Sequence, residues 1–506
     1  MSYATRLLLI LTSSSMAREV RQQIAQLWED QREALEQIVL KFVLAEISPA
    51  TMFDFETQIA EWVRELARQL LRGILNRLEG EEPQQMPHDI EYEAGGYRRL
   101  NEKTHNAHVA TLFGTIELWR YPYRYWHRDV PEACIFPLEI ELGLVHGATP
   151  ALAEAVGRYM AQAGATQQSV LDRLRSQHGV SWGAQRLRDV TAEISQSMEA
   201  WTQEFQVLRL LELLEQAEQS RGGRRPVLSV GRDGVTLREY RFRFFEHATV
   251  ATVTVYDRAG QRLGTVYLAM APELGQQQMT TRLTALIQEV LRRWEGPLPR
   301  LTYVTDAGEN ETKYYRQVLE NMGHPRTGEK LPWIRIVDYY HAAQRLWTMA
   351  EALFGKDNRA GRAWARRMCR VLKKPGGPFR VLHSAAALRK QRKRQKLSAS
   401  RAAEFRKAYQ YIRRRTKLMQ YHDYKRLNLP IGSGVTEAAC KTIVAQRLKL
   451  SGMRWMKHGA QTILNLRVVL LSRIWQPLYR RILETHDARD LRPYAPLPKI
   501  AIRQAA

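Results

Sequence analysis

Three β-rich stretches follow one another from residue 226, PVLSVGRDGV, EHATVATVTVYDRAG and QRLGTVYLAM, with only short breaks between them. A helical stretch over 279–294 comes next, then RLTYVTDAGENE and WIRIVDYYHAAQRLW, each an apolar run that passes into a polar or helical one. Strands joined by short turns pair antiparallel, whereas a strand reached through a helix pairs parallel. The order therefore predicts one mixed sheet with helices packed on it, an α+β fold. Past residue 353 the strand signal stops until the glycine-rich turn at 430, so the sheet domain is interrupted by an all-helical insertion.

That insertion is where the charge collects. The whole chain of 506 residues carries 77 Lys and Arg against 52 Asp and Glu, a net charge of +25, which points to a polyanionic partner. Over 389–426 there are fifteen Lys or Arg and two acids, Glu404 and Asp423, with Tyr409, Tyr411, Tyr421 and Tyr424 interleaved. This pattern fits either a solvated helix face or a surface that tracks phosphates, and the aromatics favour the second.

Upstream of the sheet, apolar residues at helical spacing over 18–79 predict a helical region suited to dimerisation. The alternating segment HVATLFGTIELWRYPYRYWHRD predicts a hairpin turning at Phe113, Gly114 and Thr115. Three helical stretches then break at Ala163-Gly164 and His178-Gly179, the last opening on Ser181 as N-cap, in the cadence of a helix-turn-helix. Arg186 and Arg188 on its third helix either face a DNA major groove or are ordinary solvated arginines. The expected organisation is a helical region at 1–85, a hairpin region at 86–145 and a helix-turn-helix region at 146–222. The sheet domain begins at 223–352, is interrupted by the basic insertion at 353–429 and resumes at 430–475, before a tail at 476–506.

Cys134, Cys369 and Cys440 lie far apart with no C-x-x-C pair, which argues against a disulfide framework and a thiolate zinc site and suits a reducing cytoplasm. The apolar run at 7–11 is too short to span a bilayer, so no membrane partner is expected. Met1 and Met16 both stand as first residues.

The acids that stand out are few. Asp233 precedes Gly234 at the end of an apolar strand, and Asp306 ends LTYV in TDAGE; two acids at neighbouring strand ends can share divalent metals, although both motifs are also ordinary turn chemistry. In PIGSGVTEAACKTIVAQRLKLSGMRW, residues 430–455, Glu437 is the lone acid among Lys441, Arg447, Lys449 and Arg454. Gly432-Ser433-Gly434 reads as a flexible entry to a helix that starts near Thr436 with Glu437 in its first turn. On the residues alone, Glu437 is either a metal ligand or a charge that complements the helix N-terminus.

Asp233, Asp306, the DYYH run with Asp338 and His341, the helical insertion and Glu437 in its glycine-rich turn with GMRW together resemble the DDE transposases of bacterial insertion sequences, most of all the ISKra4 type. The resemblance takes in TLFGTIELWR, FPLEIELGL and the three-helix unit as well. It implies an RNase H-like sheet domain and two magnesium or manganese ions held by Asp233, Asp306 and Glu437. Asp338 and His341 become an accessory D-x-x-H pair, with helix capping as their alternative role. Arg447, Lys449, Arg454 and Trp455 are expected to hold DNA phosphates or a base, core packing being the alternative for Trp455. The implied activity is cleavage and strand transfer on double-stranded DNA, at transposon ends and target, by a homodimer or larger assembly in the bacterial nucleoid. A nuclease without strand transfer and an inert DNA-binding derivative are the rivals. Relatives carry cysteine pairs before the hairpin; this chain has none, so no structural zinc is expected.

Overall fold

The computed structural model describes residues 14–93, 95–126, 134–238, 245–391, 397–486 and 491–493. The apolar run at 7–11, Met1, the basic residues within 392–396 and most of the tail lie outside the described residues. Contacts divide the chain into two compact units, Met1–Met160 with Ala165–Ile194 and Tyr479–Ala506, and Ala161–Gly164 with Ser195–Leu478. No described helix is long and apolar enough to cross a membrane.

In the first unit, helices Ser14–Leu44 and Pro49–Leu75 form an antiparallel hairpin, with Trp28 edge-on to Trp62 and Phe42 stacked on Phe55. Ser48 starts the second helix through a reciprocal capping box with Thr51. Strands β1 (Asp89–Tyr92), β2 (Gly95–Arg99), β5 (Tyr123–Tyr125) and β6 (Cys134–Ile135) form an antiparallel sheet whose other edge is Arg492–Pro493. Between them, β3 (Thr104–Thr111) and β4 (Gly114–Arg120) make the hairpin, turning on Leu112 and Phe113.

The three-helix unit consists of Pro150–Ala161, Gln167–His178 and Ala184–Gln219. Gly179 ends the second helix at φ +63°, a conformation that favours glycine. The third helix starts three residues after Ser181 and runs for 36 residues, from the first unit into the second, instead of ending as a short recognition helix. Its apolar face continues throughout: Leu187, Val190, Ile194 and Met198 are buried in its first half and Val207, Leu210, Leu214 and Ala217 in its second, with half-buried Trp201 and Phe205 between them. The division between the two units at 194/195 therefore has no local stop signal to mark it, whereas the boundary expected at 222/223 falls at Gly222-Gly223, after the helix has ended at Gln219.

The second unit is built on a five-stranded mixed sheet: β7 (Val227–Arg238), β8 (Phe245–Tyr256), β9 (Arg262–Met270), β10 (Arg300–Thr305) and β11 (Ile334–Val337). Their spatial order is β11-β10-β7-β8-β9, with β7, β8 and β9 antiparallel and β10 parallel to both β7 and β11. Alternate residues serve two cores. Leu228, Val230, Leu301 and Tyr303 pack against helices Gln277–Arg293 and Ala184–Gln219, while Val227, Val304 and Ile336 face the helical insertion. The insertion comprises Tyr339–Phe354, Arg359–Leu372, Gly377–Gln391, Ala399–Arg414 and Tyr421–Arg426.

Candidate functional site

Strand register sets the site. Tyr303 of β10 is level with Val230 of β7, and Thr305 is level with Val337 of β11. Carrying each register on to the acids places Asp306 level with Asp233 on one side and with Asp338 on the other. Asp233 and Asp306 share the parity of Val227 and Val304, so the row belongs to the sheet face that carries the insertion. Asp233 is not at a strand end, since β7 continues to Arg238 against β8; it lies beyond the last described pair with β10, which leaves that side open.

Glu437 reaches the same face through close packing. Its helix, Gly434–Ala439, continues through a π-helical stretch at Cys440–Ala445. The Thr436 hydroxyl occupies the space that a side chain on Gly231 of β7 would fill, and it hydrogen bonds the Thr252 hydroxyl of β8 at 2.8 Å. One turn later, the Cys440 thiol lies 3.6 Å from Asp233 Oδ2. Glu437 falls between these two contacts.

The tightest convergence is Asp338, His341 and Glu437, each offering one ligand atom within 4.8 Å of the others. Asp338 is fully buried and caps helix Tyr339–Phe354, accepting from the Tyr340 N–H at 2.6 Å. Its other oxygen accepts from the Ser433 N–H at 3.1 Å, the Ser433 hydroxyl and His341 Nδ1 at 3.3 Å. Capping and site support are thus one arrangement. Ser433 also donates to Glu437 Oε1 at 3.2 Å, and His341 Nδ1 is 3.5 Å from the same oxygen. The glycine-rich turn is a tether as well as an entry, because Ser433 ties the Glu437 helix to the end of β11.

Electrostatics follow the geometry. Burial pushes the Asp233 carboxyl up, and Asp306 adds to the push. Burial also acts upward on Asp338, but hydrogen bonds from His341, Ser433 and Tyr340 outweigh it and bring its carboxyl below the usual value. The same bond to Asp338 raises the His341 imidazole. Glu311, which the sequence reading passed over, is a further buried acid: Gly308 leaves room beside both it and Asp306, and burial raises its carboxyl.

The basic residues divide. Lys441, Lys449, Arg454 and Arg188 are exposed. Arg447 is buried and lies 5.2 Å from the centre of the Trp455 ring, so it presents nothing to a phosphate here. The Trp455 indole N–H goes to the Leu448 carbonyl, which corresponds to its packing role. Arg186 is half-buried over Trp182 and donates to the carbonyls of His108 and His146. The interleaved tyrosines turn inward: Tyr421 and Tyr424 are buried, and the Tyr421 hydroxyl holds the Val337 carbonyl. Tyr411 donates to the Asp306 carbonyl at 2.7 Å, and Arg415, over its ring, donates to the Ala307 carbonyl. The insertion thereby fixes the backbone on which Asp306 sits. Lys390, Arg406, Lys407, Arg413, Arg414, Lys417, Lys425 and Arg426 remain exposed. Cys134, Cys369 and Cys440 are free thiols.

No protein-family model matches this chain, and no curated protein matches it.

Proposed function

We propose that the chain is a DNA transposase with an RNase H-like catalytic domain, one that binds transposon ends, cuts DNA and joins the freed 3′-hydroxyl to target DNA. One observation carries the reading: the strand register brings Asp306 and Asp338, the residues that follow β10 and β11, level with Asp233 of β7, with the Glu437 helix laid beside Asp233. The strand order, three antiparallel and two parallel, and the all-helical segment before the last acid agree with it.

The donors suit a pair of hard cations, magnesium or manganese, since they are carboxylate oxygens and the push of Asp306 on Asp233 is what a shared cation relieves. Asp233, Asp306 and Glu437 would hold the ions, which when bound lower the pKa of a water or 3′-hydroxyl and stabilise the leaving oxygen. Asp338 has its acceptors filled, so its part is to fix Ser433 and orient His341. Lys441, Lys449 and Arg454 supply the positive field for phosphate. The working compartment is the bacterial cytoplasm, on the nucleoid.

The test is a strand-transfer assay with native transposon-end duplexes, plasmid target and magnesium or manganese. Nicked ends joined to plasmid are the expected products. Cutting without joining means a nuclease, DNA binding without cutting means an inert derivative, and no binding to DNA rejects the reading.

The second partner is another copy of the chain. The two hairpin helices carry seven basic and nine acidic side chains inside a chain of net charge +25, so a polyanion is not what covers them. Around the hairpin tip Val43, Leu44, Ile47 and Phe53 are 67% to 86% exposed, an apolar patch of the kind that marks a protein interface. Changing Val43 and Phe53 together to Asp is expected to turn dimers into monomers by light scattering, with the fold intact by circular dichroism. A parent that stays monomeric at every concentration, with and without DNA, rejects this interface.

A further inference from the structure

We infer that Tyr340 is a stacking platform for a DNA base at the mouth of the carboxylate site, an inference that rests on the DNA reading of that site. Among the described residues of the second unit, Tyr340 and Phe379 are the aromatic side chains most open to solvent, and Tyr340 is 66% exposed. It sits between Asp338 and His341 in sequence, and its own N–H is bonded to Asp338.

The ring is held from below. Its edge lies over Gly432, where an added Cβ would come 2.9 Å from Tyr340 Cε2 and 3.9 Å from Asp338 Oδ1. Gly432 has no unusual φ, so what it provides is close approach: any side chain there would displace the ring. Tyr339 supports Tyr340 edge-to-face, with centroids 5.5 Å apart and planes at 72°. Tyr339 in turn meets the fully buried Tyr421 at 5.4 Å and 87°, and its hydroxyl donates to the Cys369 carbonyl at 3.0 Å.

Three tyrosines thus run from the core of the insertion to solvent, and the last ends beside the acids with its surface uncovered. A rigid aromatic costs little ordering when a flat partner stacks on it, and every nucleobase offers such a face. Trp455, the aromatic the sequence offered for this task, is already engaged with Arg447 and the Leu448 carbonyl.

The experiment uses the full chain and transposon-end duplexes carrying 2-aminopurine at successive positions across the end, with affinity followed over a range of salt. The parent is expected to quench the probe at one position near the end. Tyr340→Ala and Tyr340→Leu should both lose that quenching and bind about tenfold more weakly, the scale of one lost base stack. Their salt dependence should match the parent's, because the phosphate contacts are untouched. Tyr340→Phe and Tyr340→Trp should keep the quenching and the affinity. If Tyr340→Leu behaves like the parent, the ring only props the Gly432 turn and the inference fails. It fails as well if Tyr340→Ala binds and quenches normally. A parent that binds no DNA defeats the functional reading together with this one, whereas parent binding with an indifferent Tyr340 defeats only the platform.

Discussion

Glu437→Gln is expected to lower DNA cleavage about a thousandfold or more while leaving end binding equal or slightly tighter. A metal ligand carries several kcal/mol of transition-state stabilisation, and each 1.36 kcal/mol is a factor of ten in rate. The fold should hardly notice the change. Glu437 is exposed, and a glutamine oxygen can still accept from Ser433 at the position Oε1 takes now. As a mere complement to the helix N-terminus, Glu437 would contribute under about 1 kcal/mol, visible as a small melting shift with normal cleavage. The two accounts therefore separate on one protein: melting temperature, metal-free affinity for transposon ends, and cleavage with magnesium or manganese. A Glu437→Gln protein that cuts ends at the parental rate removes the Asp233, Asp306 and Glu437 assignment.

The mixed sheet was legible because its strands are short apolar runs with turn residues between them, and their order already dictates which pairs run antiparallel. The row of acids was half legible. Asp233 and Asp306 stand out as acids after apolar runs, but only the register, Tyr303 with Val230 and Thr305 with Val337, brings Asp338 level with them. Tertiary packing also decided what local chemistry left open. The Gly432-Ser433-Gly434 run looks like a flexible entry in sequence, yet Ser433 is buried against Asp338 and Gly432 lies beneath the Tyr340 ring. Similarly, tyrosines among lysines and arginines resemble a stacking surface until helical periodicity is resolved in three dimensions. Phe405, Ala408 and Ile412 point to the core, and Tyr421 and Tyr424 repeat that inward spacing. Arg447 is the same lesson for charge: neighbours Lys449 and Arg454 are exposed, but one helical step buries it beside Trp455.

Asp338→Ala is expected to destabilise the second unit by about 3 kcal/mol or more and to stop cleavage, because it strips the acceptor from a buried set of donors. The Tyr340 and Ser433 N–H groups lose their acceptor, and the Ser433 hydroxyl and His341 Nδ1 are left with Glu437 Oε1, 3.2 Å and 3.5 Å away. With Ser433 released, the turn before the Glu437 helix is left tied to the end of β11 by the backbone bond from the Tyr339 N–H to the Ile431 carbonyl, at 2.8 Å. The pH dependence identifies the cause. The Asp338 carboxyl titrates below its ordinary value of 3.8, so its contribution is complete above that pH and is lost as pH falls through the lower, native value. The stability gap between parent and Asp338→Ala should accordingly be widest between about 3.8 and 6.5, narrow in acid below 3.8, and narrow also as pH rises through the raised His341 value, since the bond to Asp338 is what raises that imidazole. Urea melts of both proteins from mildly alkaline pH down to pH 3 measure this. A gap that is absent at neutral pH, or one that does not narrow in acid, would show that the ionised carboxylate is not what holds the turn.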